Sequence, residues 1–143
     1  MTNPPNVLVI SNMSDDPAAE IFTNDDNGHS WNVTRAAKDC AAGKHKVYKF
    51  EVAQAYAAND GIEVDDAKVG RYMRQPEILT KPAIVIIESG TAWLIDGHHR
   101  VRALHRMGVP EFLAYVIEEQ DGKAYQVLFN GQRRAPFKGS ALS

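Results

Sequence analysis

Between Pro82 and Gly108 the sequence leaves little choice of structure. Ala83–Glu88 is a nearly continuous apolar, β-branched run, and Ser89-Gly90 is the signal of a tight hairpin. Thr91–Ile95 returns as a second strand and Asp96-Gly97 breaks it. His98–Met107 then reads as an amphipathic helix stopped by Gly108 and Pro110. Phe112–Glu118 follows as a third strand. A hairpin, a helix and a returning strand in this order require a sheet with a helix packed on it. The expected class is therefore α+β, with a small mixed sheet and packed helices.

The rest of the chain reads less sharply. Met1–Ser30 contains Pro4, Pro5 and Pro17 among many Asn and Asp residues, so it is expected to be mostly irregular, with a short strand at Asn6–Ser11. Asn32–Ala42 has Val33, Ala36, Ala37 and Cys40 at helical spacing, with Gly43 as the stop. Lys46–Val52 alternates, Val47, Lys49 and Glu51 on one side and Tyr48, Phe50 and Val52 on the other, which predicts a half-buried strand. Ala53–Ala58 turns into a short helix, and Asp65 or Asp66 caps another running to about Met73. Asp121-Gly122 marks a turn before a fourth strand at Lys123–Phe129. A length of 143 residues fits one domain with a real core. The expected division is an acidic N-terminal extension over 1–45, a core with a C-terminal hairpin over 46–129, and a basic tail over 130–143.

Sixteen basic against eighteen acidic residues exclude a surface that attracts nucleic acid everywhere. The charge is uneven, however. Residues 1–30 hold five acids and no Lys or Arg, which leaves 16 basic against 13 acidic groups elsewhere, a surplus of three. Arg133, Arg134 and Lys138 in the tail are candidate nucleic-acid contacts. The single Cys40 excludes an internal disulfide and fits a reducing compartment. The early apolar run Val7–Ile10 is too short for a signal or a membrane span, so a cytoplasmic chain with no membrane partner is expected.

Asp96-Gly97-His98-His99-Arg100 carries the chemistry. It lies where a strand ends and a helix begins, so unpaired amides and the positive end of the helix dipole favour an anion there. Gly97 permits a sharp turn and a close ligand. On a helical wheel Val101, Ala103, Leu104 and Met107 form one apolar stripe, with Arg100 near its middle. His98, Arg102, His105 and Arg106 fall opposite, and His99 lies to one side where it can line a pocket. An inward guanidinium needs a partner: a carboxylate from Asp96, Glu51 or Glu88, or a bound phosphate. Asp96 is a helix cap, a functional carboxylate, or both. Adjacent histidines point about 100° apart and do not grip one ion together, so no structural metal site is expected. Magnesium bound with a nucleotide, touching Asp96, is the metal chemistry that fits. A phosphate-binding Gly-x-x-x-x-Gly-Lys-Ser/Thr loop and a Gly-x-Ser-x-Gly elbow are both missing. Cys40 has no base nearby in sequence. Trp31 and Trp93 are the residues able to stack on a base, Trp93 more naturally belonging to the core.

Lys81-Pro-Ala-Ile-Val-Ile-Ile, the Ser89-Gly90 turn, Ala92-Trp-Leu-Ile-Asp-Gly-His-His-Arg, Ala103-Leu104, Gly108-Val109-Pro110 and the strand from Phe112 resemble the ParB/sulfiredoxin superfamily. The resemblance covers about Lys46–Glu119 and is carried mostly by Pro82–Glu118. It implies that Gly97, His98, His99 and Arg100 hold the phosphates of a nucleotide such as ATP, ADP or CTP with Mg2+, with Asp96 beside them. It also implies an acidic base from the early strand, the place Glu51 occupies. Sulfiredoxins carry Cys where this chain has His98, which argues against sulfinic-acid reduction. Partition proteins of the family carry a second nucleotide motif and a helix-turn-helix domain, for which the residues after the last core strand leave no room.

The expected function is a ParB-like nucleotide- or phosphate-binding enzyme of phosphoryl transfer, or of phosphodiester or nucleotide hydrolysis. Asp96, His99 and Glu51 are its candidate catalytic residues, and DNA is a candidate partner. The alternative is a non-catalytic nucleotide-sensing or protein-binding accessory module, of phage type, that docks on a protein partner through its N-terminal extension.

Overall fold

The protein is described here by a computed structural model, which covers residues 20–24, 28–59 and 61–127. Its centre is a four-stranded sheet. The strands are β3 (Lys46–Glu51), β4 (Ala83–Glu88), β5 (Thr91–Asp96) and β6 (Glu111–Ile117), in the order β3-β6-β4-β5. β4 and β5 form the antiparallel hairpin, turning through Ser89 and Gly90, both at positive φ. The helix α5 (His98–Arg106) carries the chain back so that β6 lies parallel to β4, pairing Ala83 with Ala114 and Ile86 with Ile117. β3 closes the far edge, antiparallel to β6.

Both faces of β4 are covered, which explains its unbroken apolar run. Ile84 and Ile86 point to one side, where Trp31, Ala36, Cys40 and Tyr125 pack on them. Ala83 and Val85 point to the other, against Val52, Val101 and Leu104. The first layer comprises α1 (Val33–Ala41) and a small sheet of β1 (Ile21–Thr23), β2 (Ser30–Asn32) and β7 (Gln126–Val127). The Asn32 side chain caps α1 by accepting from the Arg35 N–H at 2.9 Å. The second layer comprises α2 (Val52–Ala58) and α5. Beside α5 stand α3 (Asp66–Tyr72), capped by Asp65, and the short α4 (Pro76–Leu79), which opens on a proline.

Three expectations change. Within the expected extension over 1–45, Trp31, Ala36 and Cys40 are built into the same buried cluster as Ile84 and Ile86. Ile21–Thr23 and Ser30–Asn32 are paired strands within what reads as an irregular leader. β3 is an exposed edge rather than half-buried: Val47 is 41% exposed and Tyr48 47%. Alternation there reflects an edge strand guarded by Lys46 and Lys49. Finally, Lys123–Tyr125 is a 3-10 turn, preceded by the short α6 (Glu119–Gly122), and among the described residues of the expected fourth strand only Gln126–Val127 are extended. Asn6–Ser11 and the tail beyond Val127 lie outside the described residues. Among the described residues, no helix is long and apolar enough to cross a membrane.

Candidate functional site

Asp96 ends β5 and Gly97 turns the chain into α5 with φ +111° and ψ 14°. A Cβ on Gly97 would sit 2.7 Å from the Ala83 Cβ, so glycine is required both for the turn and for the close passage of β4. The first intrahelical bond runs from the Val101 N–H to the Gly97 carbonyl at 2.9 Å. The amides of His98, His99 and Arg100 precede it and therefore have no helical partner. No side chain caps α5, so Asp96 is not its cap.

Asp96 instead holds Arg100. The guanidinium Nη2 donates to Asp96 Oδ2 at 3.0 Å, and the Arg100 side chain is only 12% exposed. The inward arginine on the apolar stripe is thus real, and Asp96 is its partner among the three carboxylates considered. Glu88 is bound to His29 at 2.7 Å. Glu51 is exposed and borders a different recess, beside Gln54, Asn59 and Phe112. The structure therefore does not bring Glu51 to the mouth of α5, because β3 sits on the edge opposite β5.

That mouth opens into a cavity of about 470 Å³. Gly97, His98, His99 and Arg100 line it from α5, Lys68 and Tyr72 from α3, and Lys81 from the approach to β4. Asp96, Glu20 and Glu63 supply carboxylates. Glu20 was not singled out by sequence reasoning. It comes from the segment just before β1, and its only signal was membership of an acidic leader. Burial, reinforced by the negative charge of Asp96, holds its carboxyl above the ordinary range, against the pull of Lys68 and Arg100.

The two histidines divide. His99 Nε2 accepts from the Asp65 backbone N–H at 3.1 Å, which leaves its proton on Nδ1. Its ring meets Tyr72 edge to face at 6.3 Å. Burial and nearby Lys68 lower its pKa, so it is neutral at physiological pH. His98, expected on the exposed face, is instead stacked on Phe22 with centroids 5.0 Å apart. Its Nε2 is buried and has no hydrogen-bond partner among the described residues. Burial pushes its pKa down to about 4. The wheel failed here because β1 covers a face that helical periodicity alone assigns to solvent. Met107 departs in the other sense: it is 45% exposed just past the helix, not part of the apolar stripe.

The remaining candidates among the described residues do not line the cavity. Cys40 is 2% exposed, and burial raises its thiol to about 11, which suits packing rather than nucleophilic attack. Trp31 is core, and Trp93 packs against the same cluster. Arg133, Arg134 and Lys138 lie outside the described residues. Among the described residues no three His, Cys, Asp or Glu side chains are grouped to hold a metal.

Residues 26–132 match the family model described as "Putative ParB-like nuclease". No curated protein and no solved structure matches the chain.

Proposed function

The chain belongs to the ParB-like nuclease family, and from that premise we propose that the α5 mouth binds the phosphate of a nucleotide unit, free or within a strand, and hydrolyses its phosphate ester. The observation that carries this reading is the convergence, on one cavity of about 470 Å³, of the first turn of α5, Arg100, Lys68 and Lys81. Phosphate-ester cleavage depends mainly on positioning and on neutralising charge as it develops. The α5 amides and Arg100 supply fixed donors. Lys68 and Lys81 add charge at the rim. Neutral His99 donates from Nδ1. Asp96 is the carboxylate that would hold Mg2+ together with the substrate phosphate, and the ion would supply charge neutralisation.

One feature favours a second reading. Arg100 is already answered by Asp96, so its charge is partly spent before any phosphate arrives. A nucleotide-sensing module without chemistry would need no more than this.

Thermal shift with ATP, ADP, CTP and a short oligonucleotide, each with and without Mg2+, separates these. Ligand at 100 times Kd adds about 2.7 kcal/mol of stability. Arg100→Ala and Lys68→Ala should each reduce that gain, and Asp96→Asn should slow release of the cleaved product. Binding without any cleavage selects the sensing module, and unchanged melting with every ligand removes the proposal.

A further inference from the structure

The cationic and α5 groups make only part of the cavity wall. Ile62, Tyr72 and Ile78 also line it, and all three are half-buried, so the wall has an apolar stretch as well. We propose that this stretch is a nucleobase subsite with Tyr72 as its stacking platform. The α5 site then takes a phosphate whose base is unpaired, in a free nucleotide or a single strand, in preference to a duplex. This rests on the phosphate-binding reading above.

Tyr72 ends α3, Ile78 stands in α4 and Ile62 in the stretch before α3. The platform is tied to the α5 mouth through His99. That ring, in the first turn of α5, lies 6.3 Å from the Tyr72 ring at 70°, and its Nε2 is fixed by the Asp65 N–H at 3.1 Å. A base on Tyr72 therefore stands about one ring away from the α5 mouth, a gap that a sugar can bridge. The cavity volume of about 470 Å³ is more than a phosphate ion needs. It falls in the range of roughly 300–1,000 Å³ that small-molecule sites occupy.

Lys68 Nζ lies 5.7 Å from the Tyr72 centroid, near the outer limit of about 6 Å for a cation–π contact. It is the end of a flexible stem, and Lys68 lines the same cavity. A phosphate at α5 draws the ammonium off the ring, and the base takes its place there. Every base has a π face, so such a platform holds any base and reads no sequence. In a duplex both faces are covered by stacked neighbours, and a base must leave the helix to reach Tyr72.

The test is calorimetric titration of the full chain, with and without Mg2+. AMP is compared with ribose 5-phosphate, and a short single-stranded oligonucleotide with an abasic strand of equal length and with its own duplex. In at least one of the first two pairs the base should tighten binding about 10- to 100-fold, and the duplex should bind at least about 10-fold more weakly than the single strand. Tyr72→Leu should remove most of the gain from the base while the base-free probe binds as before, and Tyr72→Phe should recover it. AMP showing the gain assigns a free nucleotide, and the oligonucleotide showing it assigns a strand. Base-free probes that bind wild type as tightly as their partners overturn the subsite and leave the phosphate-binding reading standing. A duplex bound as tightly as the single strand does the same, and so does a Tyr72→Leu variant that keeps the gain or weakens both members of a pair equally. Wild type that binds none of the probes removes both.

Discussion

Two clusters of acid, base and hydroxyl or guanidinium groups stand in the fold. In one, Tyr125 donates its hydroxyl proton to Asp39 Oδ2 at 2.6 Å while His45 Nε2 approaches the same hydroxyl at 2.8 Å. In the other, Asp96, Arg100, His99 and Glu20 surround the mouth of α5. By chemistry alone the first looks the more catalytic. Asp39 is held below its ordinary range, chiefly by the Tyr125 hydrogen bond, and burial holds the Tyr125 phenol well above its own. Yet Tyr125 is 3% exposed and its oxygen has both partners it needs. The cluster bolts the 3-10 turn onto α1. Strongly shifted groups therefore mark a site only when they face a space that a ligand can enter, and the α5 cluster does.

The sharpest way to break that contrast is Tyr125→Ala. Removing the ring and both hydrogen bonds should cost about 3–5 kcal/mol in denaturant unfolding. Ligand binding, measured where the variant is still folded, should be unchanged. Lost binding at that temperature would mean the two clusters are one system. The α5 side has its own large effect, of a different kind. His98 is neutral in the fold, with its pKa moved from 6.5 to about 4. The unfolded chain therefore takes up a proton first as pH falls. Its contribution to stability is complete above pH 6.5 and is lost between 6.5 and about 4, a span worth about 3 kcal/mol. His98→Phe, which keeps the stack on Phe22, should flatten unfolding free energy between pH 7.5 and 4.5. An equally steep acid loss in the variant would place the cause elsewhere.

How much of this was legible in the sequence follows from where the signal is local. The hairpin, α5 and β6 were readable because each is set by short-range pattern: a β-branched run, a Ser-Gly turn, a helix with a Gly stop. The inward Arg100 followed from the same periodicity. Glu51, Glu20 and His98 depended on which strand lies beside which, and nothing in the spacing of Lys46–Glu51 shows that it is the far edge. The covering of His98 by Phe22 joins residues 76 positions apart in the chain. Likewise the layer over Ile84 and Ile86 is completed by Trp31 and Tyr125, from segments that look unstructured or strand-like when read alone.

Gly97→Ala tests whether the α5 mouth depends on backbone shape as the Tyr125 cluster depends on side-chain bonds. The new Cβ meets the Ala83 Cβ at 2.7 Å in a left-handed conformation, so the fold should lose about 1–3 kcal/mol. Unlike Tyr125→Ala, the variant should also lose its ligand-induced thermal shift, because strain falls on the first turn of α5, which lines the cavity. A variant that binds normally would show that the amides of that turn are not what the ligand touches.

The smallest effect belongs to Asp39→Asn. Its side-chain oxygen still accepts from Tyr125, so what is lost is charge assistance, about 1 kcal/mol at neutral pH. The folded-state pKa of Asp39 is depressed, so its contribution is present above the unfolded value of 3.8 and lost as pH falls below it. Wild type and variant should therefore differ at pH 7 and converge as pH falls through the depressed folded value. Glu20 carries the opposite sign, since its raised pKa favours folding at low pH and weakens it as pH rises through the folded value. Glu20→Gln should leave the protein equal to or more stable than wild type at pH 7. A carboxylate that braces the fold and one whose surroundings oppose its charge are thus told apart by stability alone: removing the first costs at neutral pH, and removing the second does not.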